Sequence, residues 1–233
     1  MDDDKIALLR GHYLFGGIEQ PVLERLARYG LKVRQRKGDM LFRKGDAGDA
    51  LYGIFAGKVA IATRGTSGKE FLLSLLEPGD FFGEIAFLDG LPRTADAYAL
   101  EDCVLLKLDR RDMLPLLDQA PALLKRFVEL LCERIRYTSD LIEESAFLQL
   151  RGRLAKRFVS FAIGYGHDEP RGIRIELKLS QSKIGQMMGV SREAINKELR
   201  DWEDHGWIAR DGEYYVVTDL AALKSEVARA FEA

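Results

Sequence analysis

Between Phe82 and Ala95 the chain reads Phe-Gly-Glu-Ile-Ala-Phe-Leu-Asp-Gly-Leu-Pro-Arg-Thr-Ala, a stretch whose residue types suit an anion that also carries hydroxyls. Gly83 permits close backbone approach, and a helical turn starting there, through Glu84 and Ile85, aims N–H groups at an anion. Arg93 offers a planar fork matched to phosphate, and Thr94 adds a hydroxyl and an N–H. Glu84 would repel that phosphate, so its natural target is a hydroxyl such as a ribose 2′-OH. Charge and sugar recognition together describe a nucleotide. An Arg and a Glu flanking a turn equally describe a surface ion pair, and these residues alone leave both readings open.

A second constellation lies near the C-terminus. Ser180 is placed to cap a helix running to about Met188, Gly189 breaks it, and Ser191 caps the next, from Arg192 to about Glu203. Gly185 is small where two helices cross, Gly189 suits a left-handed turn, and Ile195 anchors the second helix. That spacing predicts a helix-turn-helix. Arg192, Glu193 and Lys197 then point toward one groove, where Arg pairs with guanine, Glu accepts from cytosine, and Lys reaches guanine or phosphate. Ser180 and Ser191, at helix N-termini, are natural phosphate binders. A winged helix that binds protein instead is the alternative.

Other elements must position these two sites. Fourteen of the 22 glycines fall at or before Gly90. From Val33 to Leu108, short β-branched and aromatic runs alternate with turn pairs such as Gly38-Asp39, Gly45-Asp46, Gly48-Asp49 and Gly79-Asp80, which predicts a sandwich or barrel. Pro21 to Tyr29 predicts a short helix. From Pro121 to Leu148 the period turns helical: Leu124, Val128, Leu131, Ile135, Thr138, Ile142 and Ser145 step by four and three, a three-heptad seam. We read it as a dimer seam, because a second stripe (Leu123, Phe127, Leu130, Leu141) is available for the β-domain. A helix packed on its own domain is the alternative. Beyond Phe147 we expect several short helices, a generic loop over Gly164–Gly172, and a hairpin at Asp211-Gly212 that supplies the wing.

Composition narrows the function classes. A chain of 233 residues that is 47% hydrophobic and 31% charged can bury one or two cores, and it has neither a membrane span nor a signal peptide. The acidic start, Met1 to Lys5, reads as a solvated tail. The net charge of −2, and the net +1 of residues 150–233, leave any DNA binding to local charge and to paired copies. Cys103 and Cys132 stand alone, so neither a disulfide framework nor an iron–sulfur or thiolate metal site is expected, and a reducing cytoplasm is. His12, His167 and His205 are scattered, none near the cassette, and read as surface residues rather than haem ligands. No nucleophile–base pair stands out, so we expect a binding protein and no enzyme.

Phe82 to Ala97 closely resembles the phosphate-binding cassette of cyclic-nucleotide-binding domains. With the helix-turn-helix, nearly the whole chain resembles the catabolite activator (Crp/Fnr-type) family of bacterial transcription factors. The resemblance implies an α+β fold: a cyclic-nucleotide-binding β-roll (jelly roll) over 1–120, a dimerisation helix over 121–146, and a winged helix-turn-helix over 147–233. It implies that Gly83 and Glu84 meet ribose and that Arg93 and Thr94 bind the cyclic phosphate. Arg136 to Asp140, Ala146 to Leu148 and Gly152-Arg153 match the family's helix and hinge. Thr138 and Ser139 thereby fall at the purine, Ser139 from the other subunit, although a polar residue at Thr138 could also merely fix the seam's register. Arg134 is placed to pair with Glu84 and couple ligand to helix. The effector implied is cyclic AMP. Thr94, where activators usually carry Ser, leaves cyclic GMP open, as is a regulator that responds to no nucleotide. Lys197 stands where the activator has Arg, and Gln181 and Ser182 depart from the usual pair near the phosphates, so a looser half-site is expected. The implied partners are a second copy, double-stranded promoter DNA and RNA polymerase; a regulatory subunit acting on a protein is the alternative.

Overall fold

The computed structural model describes residues 2–65 and 70–232. Met1, the first residue of the expected tail, lies outside them. The chain forms two compact units, Met1–Thr63 with Leu72–Arg136, and Arg64–Phe71 with Tyr137–Ala233.

In chain order the first part comprises α1 (Asp2–Gly11), α2 (Gln20–Tyr29), β1 (Leu31–Gln35), β2 (Met40–Phe42), β3 (Ala50–Ala56) and β4 (Val59–Arg64). There follow β5 (Glu70–Leu76), β6 (Phe81–Phe82), α3 (Glu84–Asp89), β7 (Asp96–Ala99), β8 (Cys103–Asp109), α4 (Arg110–Gln119) and α5 (Pro121–Phe147). The strands make two four-stranded sheets, ordered β1-β8-β3-β6 and β2-β7-β4-β5. This is the expected β-roll. Its Gly-Asp turns share one device: the carboxylates of Asp39, Asp46 and Asp80 each accept from the backbone N–H three residues earlier, at 2.7, 2.7 and 2.8 Å. Each turn thus satisfies a donor that no strand partner reaches.

Ile54, Val59, Leu76, Phe82 and Leu105 fill the space between the strands. A second core lies where α2, α4 and α5 cover the roll, with Leu23, Leu26, Met113, Leu116, Phe127 and Leu130 packed on Phe81, Leu106 and Leu108. Helix α5 therefore divides as predicted over its first half, whereas Leu141, expected on the β-domain face, is only half-buried and falls in the second unit. Leu123, Phe127 and Leu130 are buried, while Leu124, Val128, Ile135 and Ile142 are exposed, the last two each by 65%.

Two expectations are corrected here. The acidic start is helix α1, because Lys5 is buried and donates from Nζ to the Ala27 carbonyl at 2.9 Å, with Leu9 in the core. His12 is not a surface residue remote from the cassette: its ring lies 4.8 Å from that of Phe81 and 4.6 Å from that of Tyr13.

The second part contains α6 (Leu150–Tyr165), β9 (Gly166–Glu169), β10 (Gly172–Ile175), α7 (Gln181–Met188), α8 (Arg192–Asp204), β11 (Ile208–Asp211), β12 (Tyr214–Val217) and α9 (Leu220–Glu232). Phe158 of α6 centres its core, edge-on to Trp202 at 5.7 Å and to Tyr215 at 5.4 Å. The expected hairpin forms, with Asp211 opposite Tyr214, and it extends to a sheet ordered β11-β12-β10-β9. The Gly164–Gly172 segment is thus mostly a β-hairpin and not a generic loop, since β10 pairs with β12 as well as with β9. Nor are the helices all short: α6 has 16 residues. Among the described residues no helix is long and apolar enough to cross a membrane.

Burial, assisted by Arg134 and opposed by Asp80 and Glu133, holds the His12 imidazole below its ordinary value of 6.5. The unfolded chain therefore takes up this proton first, and stability is lost as pH falls below about 6.5. Urea denaturation between pH 7 and pH 5 should show this loss, with a shallower slope in His12→Gln; equal slopes would assign the loss to other groups.

Candidate functional site

The cassette is built on a turn that only glycine suits. Gly83 follows β6 at φ 85° and opens α3, and a Cβ there would stand 2.6 Å from Nη1 of Arg93. Gly48 serves the same loop from below, where a Cβ would lie 2.3 Å from that of Ala86. Arg93 is fixed at its backbone, its N–H donating to Asp46 and its carbonyl accepting from Gly45. The residue is only 3% exposed. Nη1 donates to the Gly83 carbonyl at 2.9 Å and Nη2 to that of Ala50 at 2.7 Å. The guanidinium lies 4.2 Å over the Phe42 ring, with Asp49 at 3.9 Å from Nη2. Nε is buried with no hydrogen-bond partner among the described residues. Burial lowers the Arg93 pKa, and the neighbouring Tyr52, Asp49 and Glu84 offset this.

Glu84 is 5% exposed, and its Oε1 accepts from Nε of Arg134 on α5 at 3.3 Å. Arg134 also donates from Nη2 to the Phe81 carbonyl at 3.4 Å. Thr94 and Ile85 are exposed at the rim. Gly83, Glu84, Ile85, Arg93 and Thr94 thus come together with Arg134, while Thr138 and Ser139 lie further along α5 in exposed positions. Sequence reasoning missed Arg110, whose Nε donates to the Phe87 carbonyl at 2.7 Å and so closes the end of α3. Its only sequence signal is a cation soon after the cassette.

In the second unit both serine caps form. Ser180 accepts from the Lys183 N–H at 3.2 Å, and Ser191 from that of Ala194 at 3.3 Å. A Cβ on Gly185 would lie 2.9 Å from the Val190 carbonyl, which sets how closely α7 approaches the turn. Ile195, Leu199 and Trp202 bury one face of α8, leaving Arg192, Glu193 and Lys197 exposed. Arg200, also exposed, continues the 193–197 stripe and was overlooked, although the i, i+4, i+7 spacing carries it. Glu193 stays an ionised acceptor, its pKa lowered by its own backbone N–H and the Ser191 hydroxyl. Ser182 is exposed, whereas Gln181 donates from Nε2 to Asn196 at 2.9 Å and so braces α7 on α8.

Two family models match the chain, the cyclic nucleotide-binding domain over residues 32–120 and the Crp-like helix-turn-helix domain over 152–226. A CRP-like cAMP-activated global transcriptional regulator of Mycobacterium tuberculosis is 32% identical, over 90% of this chain and 94% of its own. The chain belongs to the Crp/Fnr family. It is accordingly a cyclic-nucleotide-binding transcription regulator that binds DNA, and not an enzyme.

Among solved Crp/Fnr-fold structures, a variant of CooA from Carboxydothermus hydrogenoformans is 26% identical with a TM-score of 0.75, covering 94% of both chains. The c-di-GMP responsive regulator CLP of Xanthomonas campestris, 21% identical with a TM-score of 0.76 over 85% of this chain and 99% of its own, shares the fold. In this Crp/Fnr chain no group of three or more His, Cys, Asp or Glu side chains among the described residues could hold a metal ion. Cys103 is buried and Cys132 half-buried on α5, both free thiols.

Gly83→Ala should cost about 1–2 kcal/mol from the left-handed backbone alone, and more as Arg93 is displaced. A urea midpoint equal to that of the parent protein would show that the turn relaxes.

Proposed function

We propose that the protein is a cyclic AMP-gated regulator acting as a homodimer on promoter DNA of two-fold symmetry. The observation that carries the nucleotide reading is the cradle at Gly83, where glycine alone fits and a buried arginine keeps an unpartnered Nε beside a buried carboxylate. A cyclic phosphate would satisfy that Nε and the Thr94 hydroxyl. Glu84 and the backbone of Gly83 and Ile85 would take the ribose, with the purine at Thr138 and, from the other copy, Ser139. Arg134 would report the occupancy of Glu84 to α5. Cyclic AMP is favoured by the cAMP-activated relative, while the hydroxyl kept at Thr94 preserves the phosphate contact for either nucleotide. The exposed stripe Leu124, Val128, Ile135, Ile142 supports pairing of two copies through α5.

The working division is then a sensor over 1–120, a dimerisation helix over 121–146 and a DNA-binding domain over 147–233. Nucleotide shifts a two-state equilibrium by its differential affinity, and the paired recognition helices read half-sites ~34 Å apart. Arg192, Glu193 and Lys197 read bases, while Ser180, Gln181, Ser182 and Ser191 position the helices on phosphates. The setting is the cytoplasm, with RNA polymerase as the further partner.

Calorimetric titration with cyclic AMP and, in parallel, cyclic GMP tests the sensor. Tight, selective cyclic AMP binding is expected, and its abolition by Arg93→Ala. Because Arg93 also satisfies two carbonyls, that variant should lose roughly 1–3 kcal/mol of stability, so its folding is checked by melting. Equal binding of both nucleotides would assign Thr94 a role in accepting guanine, and heat from neither would overturn the cradle as a nucleotide site.

The DNA contact is tested by Glu193→Ala in shift assays at fixed salt. Preference at one base pair should relax by about 1–3 kcal/mol, with non-specific DNA held as before. A uniform loss on all sequences would remove Glu193 from base reading.

A further inference from the structure

The turn after α1 bonds the α5 residue that immediately precedes Arg134. Tyr13 donates from its hydroxyl to Oε2 of Glu133 at 2.9 Å. Next along the helix, Arg134 bonds both Glu84 and the Phe81 carbonyl. Phe81 is also where the turn is seated, with the rings of His12 and Phe15 at 4.8 and 4.9 Å from its own. His12 holds the turn's shape by accepting the Leu14 N–H on Nδ1 at 3.2 Å. One helical step of α5 is therefore bonded on one side to the N-terminal turn and on the other to the cassette, and Phe81 packs against both.

We propose that Tyr13 is a positioning residue for nucleotide response: through Glu133 it fixes the rotation of α5 that keeps Arg134 in register with Glu84. The geometry requires it. A bond from Arg134 alone would leave α5 able to roll about its buried Phe127–Leu130 stripe, whereas a second bond from the adjacent residue to a different element removes that freedom. Tyr13 is well suited to the task. Burial and the carboxylate of Glu133 both raise its pKa, so it remains a donor throughout the physiological range. The ring is anchored beside His12, and the hydroxyl acts through Glu133. The proposal rests on the roles given above to Glu84 and Arg134.

Two readouts on the full chain test it. Amide hydrogen exchange, which needs no nucleotide, should show about fivefold faster exchange over residues 130–137 in Tyr13→Phe, the scale of one exposed hydrogen bond to a carboxylate. Glu133→Leu should match it, and Glu133→Gln, which still accepts from Tyr13, should restore protection. Unchanged exchange in Tyr13→Phe would overturn the proposal. The second readout is the gain in DNA affinity produced by cyclic AMP. Tyr13→Phe should lower that gain about fivefold in the parent background and leave it unaltered when Arg134→Ala is already present. Equal losses in both backgrounds would mean that Tyr13 does not act through Arg134. A parent protein that shows no gain would count against the cyclic AMP reading instead, and hydrogen exchange would still decide the role of Tyr13.

Discussion

A guanidinium enters a protein interior only where its N–H groups meet acceptors, and the cassette is arranged around that requirement at Arg93. Two backbone carbonyls from separate segments, Gly83 and Ala50, supply the acceptors, and Phe42 offers its ring face. To turn its carbonyl toward Arg93 the chain enters the left-handed region at Gly83, and that turn starts α3 and buries Glu84. Backbone bonds to Asp46 and Gly45 then fix Arg93 on the opposite wall. The buried cation, the buried carboxylate and the glycine turn are thus one interlocked conformation, and none can move without unsatisfying the others.

The buried Glu84 extends that constraint to the helix. A carboxylate so shielded needs a cationic partner, and α5 provides Arg134. The residues of α5 belong to both compact units, the first through Arg136 and the second from Tyr137. Any change in what Glu84 bonds therefore acts on a helix that also carries the exposed apolar stripe Leu124, Val128, Ile135 and Ile142. In the proposed dimer this would link ligand and pairing through charge and packing alone, with no need for a long chain of intermediates.

What the sequence made legible follows from which contacts are local. The turns at Gly38-Asp39, Gly45-Asp46 and Gly79-Asp80, the serine caps and the helical period of α5 are decided by neighbours within four residues and appear where the spacing predicts, whereas Gly48-Asp49 forms no turn. The near-complete agreement over Pro121–Phe147 reflects an uninterrupted period with no glycine to end it early. Apart from Arg200, which local spacing carries, the main misses are decided at long range. Three consecutive aspartates look like a tail until Lys5 is seen bonded to Ala27, 22 residues away. His12 looks exposed until Phe81 is placed against it. The Gly164–Gly172 segment looks like a loop because the strand that continues its hairpin into the sheet pairs with β12, some forty residues on. In the site, the residue types were legible but not their present bonds: nothing local reveals that Ala50 accepts from Arg93 or that Gln181 is taken by Asn196.

The DNA-binding unit poses a question of charge, since a net +1 offers little to a polyanion. Its two most heavily paired arginines answer part of it. Arg151 engages Glu198, Asp201 and Glu226, and Arg174 engages Glu169, Glu176 and Asp211. Two of those acids, Glu198 and Asp201, belong to the recognition helix and are drawn toward Arg151 of α6, off the stripe that carries Glu193, Lys197 and Arg200. The exposed start and flank of α8 are left more cationic than the domain average. Even so, were Arg192, Lys197 and Arg200 all to meet phosphates, this face would supply only about three neutralisations, a logarithmic salt slope of roughly −3, and fewer where they read bases. Such a domain holds DNA weakly alone. Pairing two copies through α5, as proposed above, would double that slope and make the second contact intramolecular, so that an apolar seam would supply the affinity that the charge balance withholds.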